Sequence, residues 1–175
     1  MATVNSVPPR VLGIDPGLNT TGYAVLEIAV RGPKVCEAGV IRGRTRTSLA
    51  ARVAEIFEGV AEVIASLGPC CMSLEELYSH YKRPRTSILM GHARGVICLA
   101  AAQASIPVVS YSATRIKKTL TGAGRASKSQ MQRAVARELG LTTVPEPHDV
   151  ADALAAALCH LYTQPEWTAI SRRRA

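Results

Sequence analysis

Apolar positions along the chain fall into two kinds of stretch, short runs closed by turn residues and long segments with three- and four-residue spacing. Val11, Leu12 and Ile14 form a brief apolar run that Asp15 ends and Pro16-Gly17 turns, the pattern of a buried strand whose last residue reaches the rim of a sheet. The turn-rich segment PGLNTTG leads into Tyr23-Ala24-Val25-Leu26, which predicts an antiparallel hairpin. After Arg31-Gly32-Pro33, residues 34–41 (KVCEAGVI) read as a third strand of a meander. From Ser48 to Leu67 the apolar residues Leu49, Val53, Ile56, Phe57, Val60, Val63, Ile64 and Leu67 recur at helical steps, with a stop at Gly68-Pro69. Residues 70–77 (CCMSLEEL) fit a buried fourth strand ending in two adjacent acids, Glu75 and Glu76.

Residues 78–85 (YSHYKRPR) read as an exposed basic and aromatic loop. Thr86 to Ala104 is apolar almost all round and rich in small residues, which predicts a helix covered on most sides by its own sheet or by another subunit. Residues 107–111 read as a fifth strand, 114–128 as a basic stretch with a Gly-containing break, and 128–139 as a helix stopped by Gly140. Pro145 and Pro147 precede a last helix over 148–162. The order βββαβαβαα predicts one α/β domain with a five-stranded mixed sheet flanked by helices.

Composition sharpens this picture in one respect. Across 175 residues, 21 Lys and Arg outnumber 13 Asp and Glu, for a formal charge of +8. That excess points to a polyanionic partner, nucleic acid before membrane. The five cysteines, 36, 70, 71, 98 and 159, lie in apolar runs without a CxxC pair and read as small buried hydrophobes in a reducing compartment. MATVNSVPPR lacks the apolar core of a signal peptide, and no apolar run is long enough to span a bilayer. A cytoplasmic protein is expected.

The acids carry the candidate chemistry. Asp15 and Glu75 each end an apolar strand and would be neighbours if the first and fourth strands pair. Asp149 and Asp152, three apart near the start of the last helix, share one face, although acids there also serve as plain helix caps. Clustered carboxylates cannot all ionise in one pocket without cations. Two Mg²⁺ ions would compensate four carboxylates and suit in-line attack on a phosphodiester, with Mn²⁺ an alternative for hard oxygen ligands. The basic loop adds Tyr78 and Tyr81 interleaved with Lys82, Arg83 and Arg85, residues suited to base stacking and phosphate contact. Lys117, Lys118, Arg125 and Lys128 extend the basic surface.

GIDPGLNTTGYAV, SLEELYSHYK, MGHARG, TLTGAGRASKSQM and HDVADALAAALCH occur in the order and spacing of the RuvC family of Holliday junction resolvases, which residues 11–162 resemble. The resemblance implies an RNase H-like fold, a homodimer, and Mg²⁺-dependent paired nicking of four-way DNA junctions, leaving 5'-phosphate and 3'-hydroxyl ends in recombination and repair. It also implies the RuvA–RuvB branch-migration complex as partner. The family's catalytic, metal-binding acids fall on Asp15, Glu75, Asp149 and Asp152, with Glu76 the alternative to Glu75. Tyr78 resembles the aromatic that stacks on a base at the opened crossover. Lys117 and Lys128 match lysines that contact the scissile backbone. A flexible leader (1–10), a nuclease domain (11–162) and a basic flexible tail (163–175) are expected.

GAGRASKS resembles a phosphate loop, but Ser127 stands where the second Gly belongs and no strand precedes it directly. The four histidines lack metal spacing with a Cys; His148 suits a helix start, and Arg94 and Gly95 suit close helix packing. An actin-like ATPase would share Asp-x-Gly after the first strand, yet needs two lobes and has no place for the paired helix acids. A DNA-binding module without chemistry would not need four intact acids.

Overall fold

The computed structural model describes residues 8–29, 32–44, 47–77 and 84–164. Within them the chain forms β1 (Arg10–Asp15), β2 (Thr20–Ala29), β3 (Gly32–Arg42), α1 (Leu49–Leu67), β4 (Cys71–Glu75), α2 (Pro84–Gln103), β5 (Val108–Tyr111), α3 (Ala113–Thr121), α4 (Lys128–Glu138) and α5 (His148–Thr163). The sheet runs β3-β2-β1-β4-β5. Its first three strands form the antiparallel meander, while β4 and β5 lie parallel to β1, as the crossover helices require.

Period-two alternation assigns the strand side chains to two cores. Val11, Ala24, Leu26 and Cys71 face the layer built on α5, with α3 and α4 outside it. Leu12, Ile14, Val25, Met72 and Leu74 face α1 and α2. Leu12, Ile14, Leu26, Met72 and Leu74 are fully buried, and each such side chain contributes roughly 1.5–3 kcal/mol relative to exposure. The boundaries of α1 follow its caps: the Ser48 hydroxyl accepts from the Ala51 amide, and Gly68 closes the helix at φ 56°.

Helix α5 is almost wholly buried and rich in alanine. It lies directly on the backbone of β1 and β2, because glycines stand beneath it. A Cβ on Gly13 would come within 2.1 Å of the Ala153 carbonyl oxygen, and one on Gly22 within 2.0 Å of the Asp149 carbonyl oxygen. Polar ties supplement this contact. The Ser73 hydroxyl of β4 donates to the Ala156 carbonyl at 2.6 Å. His160 touches the Cys71 sulfur at 3.3 Å and the Tyr111 hydroxyl at 3.0 Å, so α5 is linked to β4 and β5.

Three expectations are corrected. Residues 113–121 form a full helix, α3, where the sequence suggested a basic stretch with a break. Its Ser112 cap and αL Gly122 define it; it is amphipathic, but it is only 9 residues long and polar overall, with Ile116 its one buried residue, so it reads as a basic stretch. The face of α2 bearing Ala93, Ile97, Ala100 and Ala101 is buried as expected, whereas Ile88 and Leu99 on the opposite side are 64% and 49% exposed. Nor are the cysteines uniformly buried: all are free thiols, but Cys70 is exposed and Cys36 and Cys98 are half-buried. The backbone explains Cys70, which comes just before β4 begins, in the connection from α1. Residues 1–7 and 165–175, which include most of the expected leader and tail, lie outside the described residues.

Gly13→Ala is expected to destabilise the fold by about 3 kcal/mol, since fixed backbone atoms, not a flexible side-chain end, oppose the new methyl group. For a chain of this size that lowers the melting temperature by roughly 6–12 °C. Thermal unfolding measures it, and a change under 2 °C would mean that β1 and α5 are not in tight backbone contact.

Candidate active site

The site forms where β1 and β4 end. Parallel pairing of Ile14 with Leu74 brings the next residues, Asp15 and Glu75, to adjacent positions at one rim. Asp15 is also held from the other side, opposite Gly22 in the antiparallel ladder. The turn after it is tied shut by Thr21, whose hydroxyl donates to the Gly17 carbonyl at 2.7 Å. Gly17 allows that closure, since a Cβ there would meet the Thr20 carbonyl oxygen at 2.2 Å. Glu75 is fixed through its own backbone: Arg94 of α2 donates to its carbonyl at 2.5 Å and to the Ser110 hydroxyl at 2.6 Å. Arg94 therefore clamps two strand ends, a role the sequence reading missed. Gly95 has open space around its Cβ position, so it does not serve the close packing expected of it.

Asp149 and Asp152 come from the first turns of α5. The contact of α5 with Gly13 and Gly22 carries them to the ends of β1 and β4. A cavity of about 270 Å³ is lined there by Asp15, Glu75, Asp152, Lys117, Lys128 and Met131 among others. Asp149 does not line it, but its charge acts on Asp15 and Asp152. Of the two adjacent acids in β4 and beyond, Glu75 faces this cluster. Glu76 is exposed and donates its amide to the Tyr111 carbonyl. A wider cavity of about 490 Å³ opens from Asp15 and Glu75 toward α2, lined by Pro16, Glu76, Leu77, Met90 and Thr114.

Burial and mutual repulsion dominate the electrostatics. Asp15 is pushed up to about 8, chiefly by desolvation and then by Glu75, Asp152 and Asp149, with Lys128 opposing. Glu75 is pushed up to about 6, by burial first and Asp152 second, against Lys117 and Lys128. Asp152 is raised by burial, with Asp149 adding to it and Lys128, His148 and Lys117 opposing. These acids lack enough positive charge for all to ionise, the condition that a bound cation relieves. Their donor atoms are all carboxylate oxygens, which suits a hard divalent ion. Among the described residues no three acids, histidines or cysteines are gathered into a ready ligand cage. The fit therefore rests on uncompensated charge and donor chemistry.

The two lysines reach the cavity from separate helices. Lys117 is half-buried on α3, and Lys128 is the first residue of α4, whose Ser127 and Gln130 form a capping box. Lys118 and Arg125 are exposed on the same α3–α4 hairpin but do not line the cavity, and Arg85 is exposed in the first turn of α2. His148 is the exposed first residue of α5. Tyr78, Tyr81, Lys82 and Arg83 lie outside the described residues.

The model of the family described as crossover junction endodeoxyribonuclease RuvC matches residues 11–160. A crossover junction endodeoxyribonuclease RuvC from Rhodopirellula baltica is 60% identical over 154 residues, covering 87% of this chain and 85% of that protein. The structure of Thermus thermophilus RuvC superposes with a TM-score of 0.80 at 31% identity, covering 87% of this chain and 93% of that one. The same protein in complex with a Holliday junction substrate gives 0.79 at 30% identity, with 88% and 93% covered. The family model, the relatives' identity and the structural superposition agree over most of the chain: it belongs to the RuvC family of crossover junction endodeoxyribonucleases.

Proposed function

We propose that this chain is a structure-selective endodeoxyribonuclease that resolves four-way DNA junctions by paired, symmetric hydrolysis of phosphodiesters, leaving 5'-phosphate and 3'-hydroxyl ends. The observation that carries this reading is the convergence of Asp15, Glu75 and Asp152 at one cavity walled by Lys117 and Lys128. Asp15, Glu75, Asp149 and Asp152 would hold two Mg²⁺ ions per subunit, or Mn²⁺ in their place. When bound, such ions activate a water and stabilise the leaving oxygen of an in-line displacement. Lys117 and Lys128 hold the scissile phosphate between the two helices, and their charges lower the acids' proton affinity. Lys118, Arg125 and Arg85 extend the phosphate contacts outward. Tyr78 stays assigned to the opened crossover on the family resemblance, and Tyr81, Lys82 and Arg83 to base stacking and phosphate contact on the residue types of their loop.

Two symmetric cuts need two sites, so the active species is a homodimer. Helix α2 supports this, because Ile88, Gly91, His92, Gly95 and Leu99 form one exposed stripe at helical spacing. A second copy of the chain is its natural cover, since large apolar side chains there face solvent in the lone subunit. The resemblance extends to a RuvA–RuvB branch-migration partner, and the free cysteines support a cytoplasmic location. Among the described residues no helix is long and apolar enough to cross a membrane.

Asp15→Asn is expected to cut a synthetic four-way junction at least about 10³-fold more slowly while binding it within about threefold of wild type, because the lost group holds metal and not DNA. Loss of binding together with cutting would assign Asp15 to folding. A second test uses pH. Asp15 and Glu75 have folded-state affinities for the proton above their unfolded values, so their protonated forms favour folding at low pH. That stability is lost as pH rises through about 6 for Glu75 and about 8 for Asp15. Metal-free protein should therefore melt several degrees lower at about pH 8 than at about pH 5. Mg²⁺ should recover the difference, more at the higher pH, and Asp15→Asn should flatten it. A melting temperature independent of pH and Mg²⁺ would refute a cation site at these acids. Third, Leu99→Glu should yield a monomer in sedimentation analysis and abolish paired cutting; a resolving monomer would reject the α2 interface.

A further inference from the structure

The α3–α4 hairpin carries a second groove, distinct from the acid cavity. It is about 400 Å³ and lined by Thr121, Ala123, Gln130, Arg133, Ala134 and Arg137. No carboxylate lines it. Arg133 and Arg137 are both exposed and one helical turn apart on the same face. Among the described residues the ion pairs are Arg10–Glu27 and Arg44–Glu55, so neither groove arginine is neutralised by an acid. The neighbouring Glu138 is engaged by the Tyr162 hydroxyl. Arg133 donates its Nε to the Ser129 carbonyl at 3.2 Å, which anchors the stem and leaves its terminal amino groups for a ligand. Gln130 uses its carbonyl oxygen on the Ser127 amide, which leaves its NH₂ as a further donor.

We infer that this groove takes backbone phosphates of a junction arm away from the cut, with Arg133 and Arg137 as the contacting residues. The inference rests on the endonuclease reading and extends its substrate footprint. Guanidinium forks match phosphate oxygens, and a donor-rich, acid-free groove offers nothing to a cation. Helix α4 supplies the register: it begins with Lys128 at the acid cavity and reaches the groove with Arg137 in its last turn. At ~1.5 Å per residue Arg137 lies ~13 Å along the axis from Lys128, and Arg133 ~7 Å. At ~100° per residue both arginines also turn ~140–180° round the helix from Lys128. On duplex DNA the phosphates they meet therefore lie at least about two to four base-pair steps past the scissile one.

The test compares wild type with R133Q/R137Q on the same junction without divalent metal, across a salt series. Removing two phosphate contacts should reduce the slope of log affinity against log salt by about 1.8. Binding near 0.1 M salt should weaken about tenfold or more. Neutral methylphosphonate linkages scanned outward along the arm from about two nucleotides beyond the scissile position should at one stretch weaken wild type by a similar factor and leave the double variant almost unaffected. An unchanged salt slope, or equal losses for both proteins on the neutral linkages, would overturn the inference and leave the groove to an acidic protein surface. Cutting of the unmodified junction by wild type with Mg²⁺ is scored alongside. If wild type does not cut, the endonuclease reading falls; if it cuts while the slopes agree, only this groove assignment falls.

Discussion

Everything at the site depends on one backbone contact, that of α5 lying against β1 and β2 with no side chain between. Gly13 and Gly22 make the approach, and the alanines of α5 answer it from the other side. Acids on a surface helix would be free to move apart. Acids on this helix cannot, because its burial fixes rotation and rise together. Ser73 reinforces the placement from β4, the strand that ends in Glu75. Packing that looks generic is therefore what sets the spacing of the rim acids.

That placement opposes electrostatics. Burial and like charge both favour protonated acids, and the lysines of α3 and α4 offset this only in part. The conflict is local, because the chain is strongly basic elsewhere. Under the proposed reading, an acidic pocket inside a positive surface would draw in a polyanion and the cations that neutralise the pocket at the same time. Fold stability and ligand recognition thus pull on the same few carboxylates in opposite directions.

The strands and α1 were legible in the sequence because their apolar periods are strong: VLGID alternates between two cores, and α1 carries a complete stripe with both caps; α2 was legible from its length and apolar content instead. The adjacency of Asp15 and Glu75 followed once β1 and β4 were taken as neighbours. What escaped notice had weak local signals. Helix α3 is short and crowded with cations, so its apolar stripe, though well ordered, is overshadowed by its charge. The choice between Glu75 and Glu76 turns on which residue ends the strand, a one-residue matter that pattern alone leaves open. Arg94 acts through hydrogen bonds to a carbonyl and a hydroxyl that are distant in sequence, and no spacing rule announces such bonds. Cys70 and Cys71, adjacent and alike on paper, differ because a strand begins between them.

Helix α2 faces two ways. One side carries the arginine that grips the end of β4, and the other shows solvent a stripe of large and small apolar residues. The outer stripe and the strand end that bears Glu75 are therefore held by one and the same helix. Under the proposed pairing of subunits, the element that meets the neighbour is also the element that seats an acid of the site.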